Sequence, residues 1–120
     1  MKNIYFFPIL FFLIDAVYLT TTGNYYNKVV KSIQGSDIKM RALSAFFCYI
    51  FLTVGLYYFI LRKKESVLSA FILGVVIYGV YETTNHAIFK NWDILAVFMD
   101  TIWGGILFAL TTYLTYKFLI

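Results

Sequence analysis

Four long apolar runs occupy most of this chain of 120 residues and limit what it can fold into. They cover roughly residues 4–22, 38–61, 66–87 and 93–118. Each approaches or exceeds the ~20 apolar residues that a helix needs to cross a bilayer. A soluble fold of this length has too little interior for a chain that is 62% hydrophobic. We predict an all-α integral membrane four-helix bundle with short loops, in one transmembrane domain over residues 1–120.

The segment between the first two runs differs from the other connections. Gly23-Asn24 predicts the end of the first helix, after which Tyr26, Val30 and Ile33 share one face at helical spacing. A short interfacial helix and an ordinary polar loop both fit this pattern. Helix N-caps are predicted at Ser36 or Asp37 for the second span and at Asn91 or Asp93 for the fourth.

The first run could imitate a secretory signal, because it follows Lys2 near the start of the sequence. A signal peptide has a shorter apolar core and a small-residue cleavage site. This run is longer, carries Asp15 and lacks a convincing cleavage site. We therefore predict a retained first span.

The formal net charge of +4 places its basic residues mainly at the ends of the apolar runs. Lysine and arginine there set topology and suit anionic lipid headgroups, so the lipid bilayer is the predicted partner and nucleic acid is not. Four spans put both termini on one side, side A, with the Arg62-Lys63-Lys64 turn. The cations divide equally between side A and the opposite side B. The dense Arg62-Lys63-Lys64 triplet favours a cytoplasmic side A. The equal number of cations on the two sides also permits dual insertion, in which two copies of the chain form an antiparallel dimer. A homo-oligomer or a larger membrane assembly is also compatible with the sequence.

Three carboxylates interrupt the apolar runs: Asp15, Glu82 and Asp100. A charge at the bilayer centre costs about 3 kcal/mol or more, so such residues usually have a partner or a function. Because the spans alternate in direction, all three positions fall in the half of the membrane nearer side B. Arg41, at the start of the second span, is the nearest cation in depth and the predicted counter-ion.

Other polar residues share helix faces with these groups. We predict a proton, cation or ligand site formed by Asp15, Glu82, Asn85, Asp100 and Arg41, with Tyr18, Tyr49, Tyr81, His86 and Trp103 in support. Converging faces would give a polar chamber open toward side B and an apolar half toward side A. Alternatively, the acids are neutral and only join helices by hydrogen bonds.

The remaining residues give little sign of catalysis. The single Cys48 excludes an intramolecular disulfide and is predicted to be a small buried hydrophobe. His86 lies four residues after Glu82, the spacing of a metal-ligand pair on a helix. A single histidine near a helix end is more often an interfacial hydrogen-bonding group than a metal ligand. The sequence has no phosphate-binding loop or nucleophile elbow. We predict no catalytic residue, no cofactor and no metal, and an enzyme is the less favoured class.

Aromatic and glycine residues have simpler predicted roles. Four aromatic residues are expected in the interfacial belts: Tyr25, Tyr26, Trp92 and Tyr116. Five glycines are expected to permit close helix contact: Gly55, Gly74, Gly79, Gly104 and Gly105.

Three islands carry a resemblance to a known family. Residues Asp15–Leu19 have the pattern D-x-x-[WY]-L, Tyr81–Ala87 begin with Y-[DE]-x-T-N, and Asp100–Gly104 read D-x-x-W-G. Their order and spacing resemble a family of small membrane proteins, predicted to have four spans, that is catalogued as a domain of unknown function. The family is mainly bacterial, with relatives in large DNA viruses. Its pattern more often has Asp at Glu82 and Trp at Tyr18. The resemblance implies the four-span fold, these candidate positions, and a bacterial inner membrane or a viral or host membrane, but no activity.

The leading functional hypothesis is a proton- or cation-coupled transporter or permeation protein that uses the carboxylate cluster. The alternative is a non-enzymatic membrane scaffold or assembly protein, cellular or viral, whose acids are structural. A third hypothesis is a receptor or intramembrane enzyme for a lipid-like ligand.

Overall fold

The computed structural model describes residues 2–120, with only the backbone described for Lys2. This part of the chain is helical, with no strand. Its helices are α1 (Phe7–Gln34), α2 (Ala42–Leu56), α3 (Val67–Ile88) and α4 (Ile94–Leu114). A 3₁₀ turn (Lys2–Phe6) precedes α1, while π-helical turns continue α2 (Tyr57–Leu61) and α4 (Thr115–Leu119). All four helices are long and apolar enough to cross a bilayer, which confirms the predicted all-α membrane architecture.

Helix α1 continues through Gly23 and ends eleven residues later than the predicted break. Its terminus is Gly35, whose φ of 78° lies in the left-handed region and whose N–H donates to Lys31 O at 2.9 Å. A glycine inside a helix costs only about 1 kcal/mol. Packing of Val29 against α4 and Trp92 outweighs that cost. The predicted interfacial helix or loop after the first span is therefore wrong, because the same residues extend α1.

The loop before α2 also differs from the prediction. Helix α2 begins at Ala42 instead of Ile38, and neither predicted N-cap is used. Asp37 instead accepts a hydrogen bond from Asn27 Nδ2 at 3.1 Å, which ties the loop to α1. At α4 the N-cap is Asp93, the second of the two predicted candidates, since its carboxylate accepts from the Leu95 N–H at 3.3 Å.

Helices α3 and α4 form the closest pair in the structure. A Cβ added at Gly74 would collide with the carbonyl oxygen of Gly104, and one at Gly105 would lie 2.7 Å from Phe71 Cε2. Close backbone approach of this kind is the usual role of small residues between membrane helices. The prediction is wrong for Gly55, which has nothing within 4 Å of an added Cβ.

Helix α2 is the most weakly buried element, and most of its large side chains face outward. Cys48 is exposed on this helix, so its predicted burial is wrong. Apolar side chains on an outward face are expected where lipid replaces water. Buried contacts of α2 are concentrated near side A, where Leu56, Ile60 and Leu61 join a cluster with Phe11 and Phe108.

The half of the bundle nearer side A is less apolar than predicted. Three threonines of α4 and its π-helical turn are fully buried there: Thr111, Thr112 and Thr115. Their spacing places all three on the inward face of the helix. The sequence predicted an apolar half because three threonines add little polarity to a long run of large apolar side chains.

Candidate functional site

Asp15 joins three helices through its carboxylate. It lies in α1 with only 6% of its surface exposed. Its Oδ2 accepts a hydrogen bond from the Tyr49 hydroxyl of α2 at 2.5 Å. Its Oδ1 accepts from Trp103 Nε1 of α4 at 2.9 Å. Aromatic donors thus replace the cation that was expected beside this group.

Glu82 and Asp100 form a neighbouring pair of acids between α3 and α4. Glu82 lies about two turns before the end of α3, and Asp100 about two turns into α4, so the two have the same depth. Glu82 is 1% exposed and Asp100 is 9% exposed. Both acids are therefore buried between the two most closely packed helices. Trp92 Nε1 donates to Glu82 Oε1 at 2.8 Å from the loop before α4.

Tyr18 connects the two acidic positions. Its ring stacks on Trp103 with centroids 4.5 Å apart and planes 3° from parallel. Its hydroxyl donates to Asp100 Oδ1 at 3.4 Å and is hydrogen-bonded to the hydroxyl of Tyr26. The polar groups therefore form one continuous cluster, which runs from Asp15 through Trp103 and Tyr18 to the acid pair.

The cluster contains no basic side chain among residues 3–120, whose side chains the structure describes. Arg41 is exposed at the start of α2, and the sole salt bridge in the described chain joins Lys31 to Asp37 on the surface, 3.7 Å apart. The predicted counter-ion is thus not brought to the acids. Asn85 is buried one turn beyond Glu82, whereas Tyr81 and His86 are exposed and lie outside the cluster.

A family model described as "Predicted membrane protein (DUF2177)" matches residues 1–117. The chain belongs to this family. It is therefore an integral membrane protein of a family without an assigned activity, as the three sequence islands indicated. No curated protein and no solved structure matches the chain.

Two members of the cluster in this DUF2177 protein were missed at the level of sequence. Tyr26 and Trp92 were predicted to be interfacial, but Tyr26 turns to Tyr18 and Trp92 is 9% exposed against Glu82. A continuous α1 places Tyr26 two turns beyond Tyr18 on the same face. A prediction that continued α1 through Gly23 would therefore have placed Tyr26 near Tyr18. The long-range partner of Trp92 has no comparable signal.

The three acids lie at two positions in the bundle, with Glu82 and Asp100 at one and Asp15 at the other. Within residues 2–120, no three side chains of the His, Cys, Asp and Glu types converge as a metal ion would require. Asp15 instead has two aromatic donors of its own. The arrangement is suited to holding protons or a weakly bound cation at two linked positions.

Proposed function

We propose that this protein is a small proton-coupled transporter or permeation protein in which Asp15, Glu82 and Asp100 bind the coupling ion. The observation that carries the proposal is the buried acidic cluster without a basic partner in the described chain. Three uncompensated carboxylates at membrane depth would be strongly destabilising. Cations from solution must therefore balance them, and the binding and release of those cations is the chemistry of a coupled carrier.

Protons suit this cluster better than a metal ion. Glu82 and Asp100 are buried at the same depth on the closely packed helices α3 and α4, where two neighbouring carboxyl groups can hold one proton between them. The Tyr18 hydroxyl can both donate and accept, so it links that pair to Tyr26 on the side B portion of α1. Asp15 lies deeper, behind the stacked rings of Tyr18 and Trp103.

Side B is the proposed entrance. The segment Asn3–Gln34 contains 32 residues. As a helix it is about 48 Å long, which exceeds the ~30 Å hydrocarbon core. Its extension carries Tyr25, whose hydroxyl donates to Asp93 Oδ2 at 2.8 Å in an exposed position. Protons or a small cation would pass this polar rim before they reach Glu82 and Asp100.

Proton flux into liposomes under an imposed potential tests the proposal. We expect flux with the wild-type protein and a reduction of about 100-fold for both Asp15→Asn and Asp100→Asn, since a positioned proton carrier contributes factors of this size. Both changes remove the titrating group but retain an oxygen acceptor for the aromatic donors. Glu65→Gln, in the exposed turn on side A, is the matched control and should retain wild-type flux. Wild-type flux from Asp100→Asn would end the proposal.

A structural role is the second candidate, because hydrogen-bond donors from other parts of the chain already meet the acids. Trp103 and Tyr49 bind Asp15, and Trp92 binds Glu82. In a scaffold or assembly protein, the acids would serve only to accept these structural hydrogen bonds. Melting in detergent separates the two functions. Neutralising a functional acid leaves the Tm unchanged or raises it, whereas Asp100→Asn in a scaffold lowers the Tm and leaves no flux to lose.

A further inference from the structure

We infer that a groove on the outer surface of the bundle near side A binds one anionic phospholipid, with an acyl chain along the groove and the headgroup phosphate at Lys117. The groove has a volume of about 400 Å³, and its lining among residues 3–120 is entirely apolar. We call it the side A groove, and its walls include Phe6, Ile9, Leu10, Leu13, Leu114 and Phe118. The site lies outside the carboxylate cluster and does not depend on the proposed transport.

The side A groove runs in the direction that lipid chains take in a bilayer. Its wall on α1 extends from Phe6, near side A, to Leu13, which lies seven residues and about 10 Å deeper in the membrane. The opposite wall, formed by α4 and its π-helical turn, runs the same way, because Phe118 is near side A and Leu114 lies about one turn deeper. An acyl chain therefore fits lengthwise while its headgroup stays at the membrane surface.

The groove opens toward the lipid and not toward the interior of the bundle. Ile9, Leu13 and Phe118 are 58%, 57% and 65% exposed, whereas Phe7 and Phe11 on the inward face of α1 are buried in the core. Its volume lies within the range of about 300–1,000 Å³ that is typical of small-molecule sites. Its apolar walls offer no hydrogen bonds to a polar ligand, so the ligand they favour at membrane depth is a hydrocarbon chain.

A cation lies at the mouth of the side A groove. Lys117 is exposed, and its Nζ lies 5.5 Å from the ring centroid of Phe118 in the groove wall. Lysine near the end of a membrane helix places its charge at the level of the lipid headgroups. The sole salt bridge among residues 3–120 joins Lys31 to Asp37 near side B. The Lys117 ammonium is therefore not neutralised by an acid of this part of the chain, and a lipid phosphate can pair with it.

The surrounding surface on side A adds to this positive charge. The Tyr116 hydroxyl donates to the Glu65 carbonyl oxygen at 2.6 Å, which joins the segment carrying Lys117 to the turn at residues 62–64. That turn carries three cations beside the single carboxylate of Glu65. Basic clusters next to membrane helices attract anionic lipids. The ligand we propose is therefore an anionic phospholipid, not a zwitterionic one.

Native mass spectrometry of the full chain, released from detergent micelles with added lipid, tests the role of Lys117. The probes are phosphatidylglycerol and phosphatidylcholine with the same acyl chains, which differ in headgroup charge but fill the groove equally. We expect wild type to prefer phosphatidylglycerol and Lys117→Gln to bind it about fivefold more weakly. One lysine near an anionic headgroup contributes about 1 kcal/mol, which corresponds to this factor.

Lys90→Gln is the matched control, because it removes a similarly exposed charge on side B and should keep the wild-type preference. A Lys117→Gln protein that prefers phosphatidylglycerol as strongly as wild type would overturn the inference.

A second comparison tests the groove itself. Leu10→Trp fills the groove with a larger side chain and should lower the retention of both lipids several-fold. Leu43→Trp adds the same ring at an exposed position of α2 outside the groove, and it should retain both lipids like wild type. If Leu10→Trp does not fold, Leu13→Trp at an exposed position of the same wall replaces it. Unchanged retention in a folded groove variant would show that the lipid binds elsewhere, and the inference would fail. Neither comparison uses transport, so lipid binding without proton flux would count against the proposed function alone.

Discussion

Replacing Gly74 with alanine is expected to separate α3 from α4 and to abolish the folded bundle. The added Cβ would overlap the carbonyl oxygen of Gly104, and one backbone cannot move away from another as a flexible side chain can. Overpacking a core commonly lowers the free energy of unfolding by about 1–3 kcal/mol. We expect a backbone collision at the tightest contact to cost at least the upper end of that range. The measurement is the Tm in detergent, with size-exclusion profiles to detect aggregation.

Gly55→Ala is the matched control for that experiment. This glycine lies inside α2, and an added Cβ there meets nothing within 4 Å. Alanine favours a helix interior over glycine by about 0.8–1.0 kcal/mol, so the control should melt at or above the wild-type temperature. A Gly74→Ala protein that melts like wild type would show that α3 and α4 are not in backbone contact.

Asp15→Ala is expected to release α2 from the bundle in its side B half. The carboxylate accepts from Tyr49 at 2.5 Å and from Trp103 at 2.9 Å, and alanine leaves both donors without a partner. A donor without a partner costs about 1–3 kcal/mol when it is fully buried, and these two are half-buried inside the bundle. Helix α2 has few other buried contacts in this half, so we expect its loss of position to precede unfolding of the α3–α4 pair.

Cys48 makes this release measurable without adding a cysteine. It is the single cysteine of the chain, it is exposed, and it precedes Tyr49 on α2. A nitroxide label there should gain mobility in Asp15→Ala but not in Asp15→Asn, since asparagine keeps an oxygen acceptor for Trp103 and can pair with the tyrosine hydroxyl. Equal spectra for Asp15→Ala and wild type would mean that the carboxylate does not hold α2.

Helical periodicity located the acids and three of their aromatic neighbours, whereas the predicted basic partner does not lie beside them. Tyr18, Tyr49 and Trp103 were expected near the acids because they share faces with them or with the predicted counter-ion, and the structure brings all three to the cluster. The prediction of Arg41 as counter-ion rests on depth and charge alone. In the structure, its place beside the acids is taken by aromatic N–H and O–H groups that contribute hydrogen bonds without a buried cation.

Sequence alone determined that this chain forms four membrane-spanning helices and that three acids lie at membrane depth. Both follow from the thickness and polarity of the bilayer. Its hydrocarbon core requires apolar helices of about 20 residues, and a charge within such a helix is costly and therefore easy to recognise in the sequence. Only the tertiary structure decided that α1 continues to Gln34, because packing of Val29 against α4 overrides a glycine. It also decided that Trp92 turns inward to Glu82 and that the threonines near side A are buried, since contacts between helices depend on how the helices are rotated against one another. Periodicity within each helix does not specify that rotation.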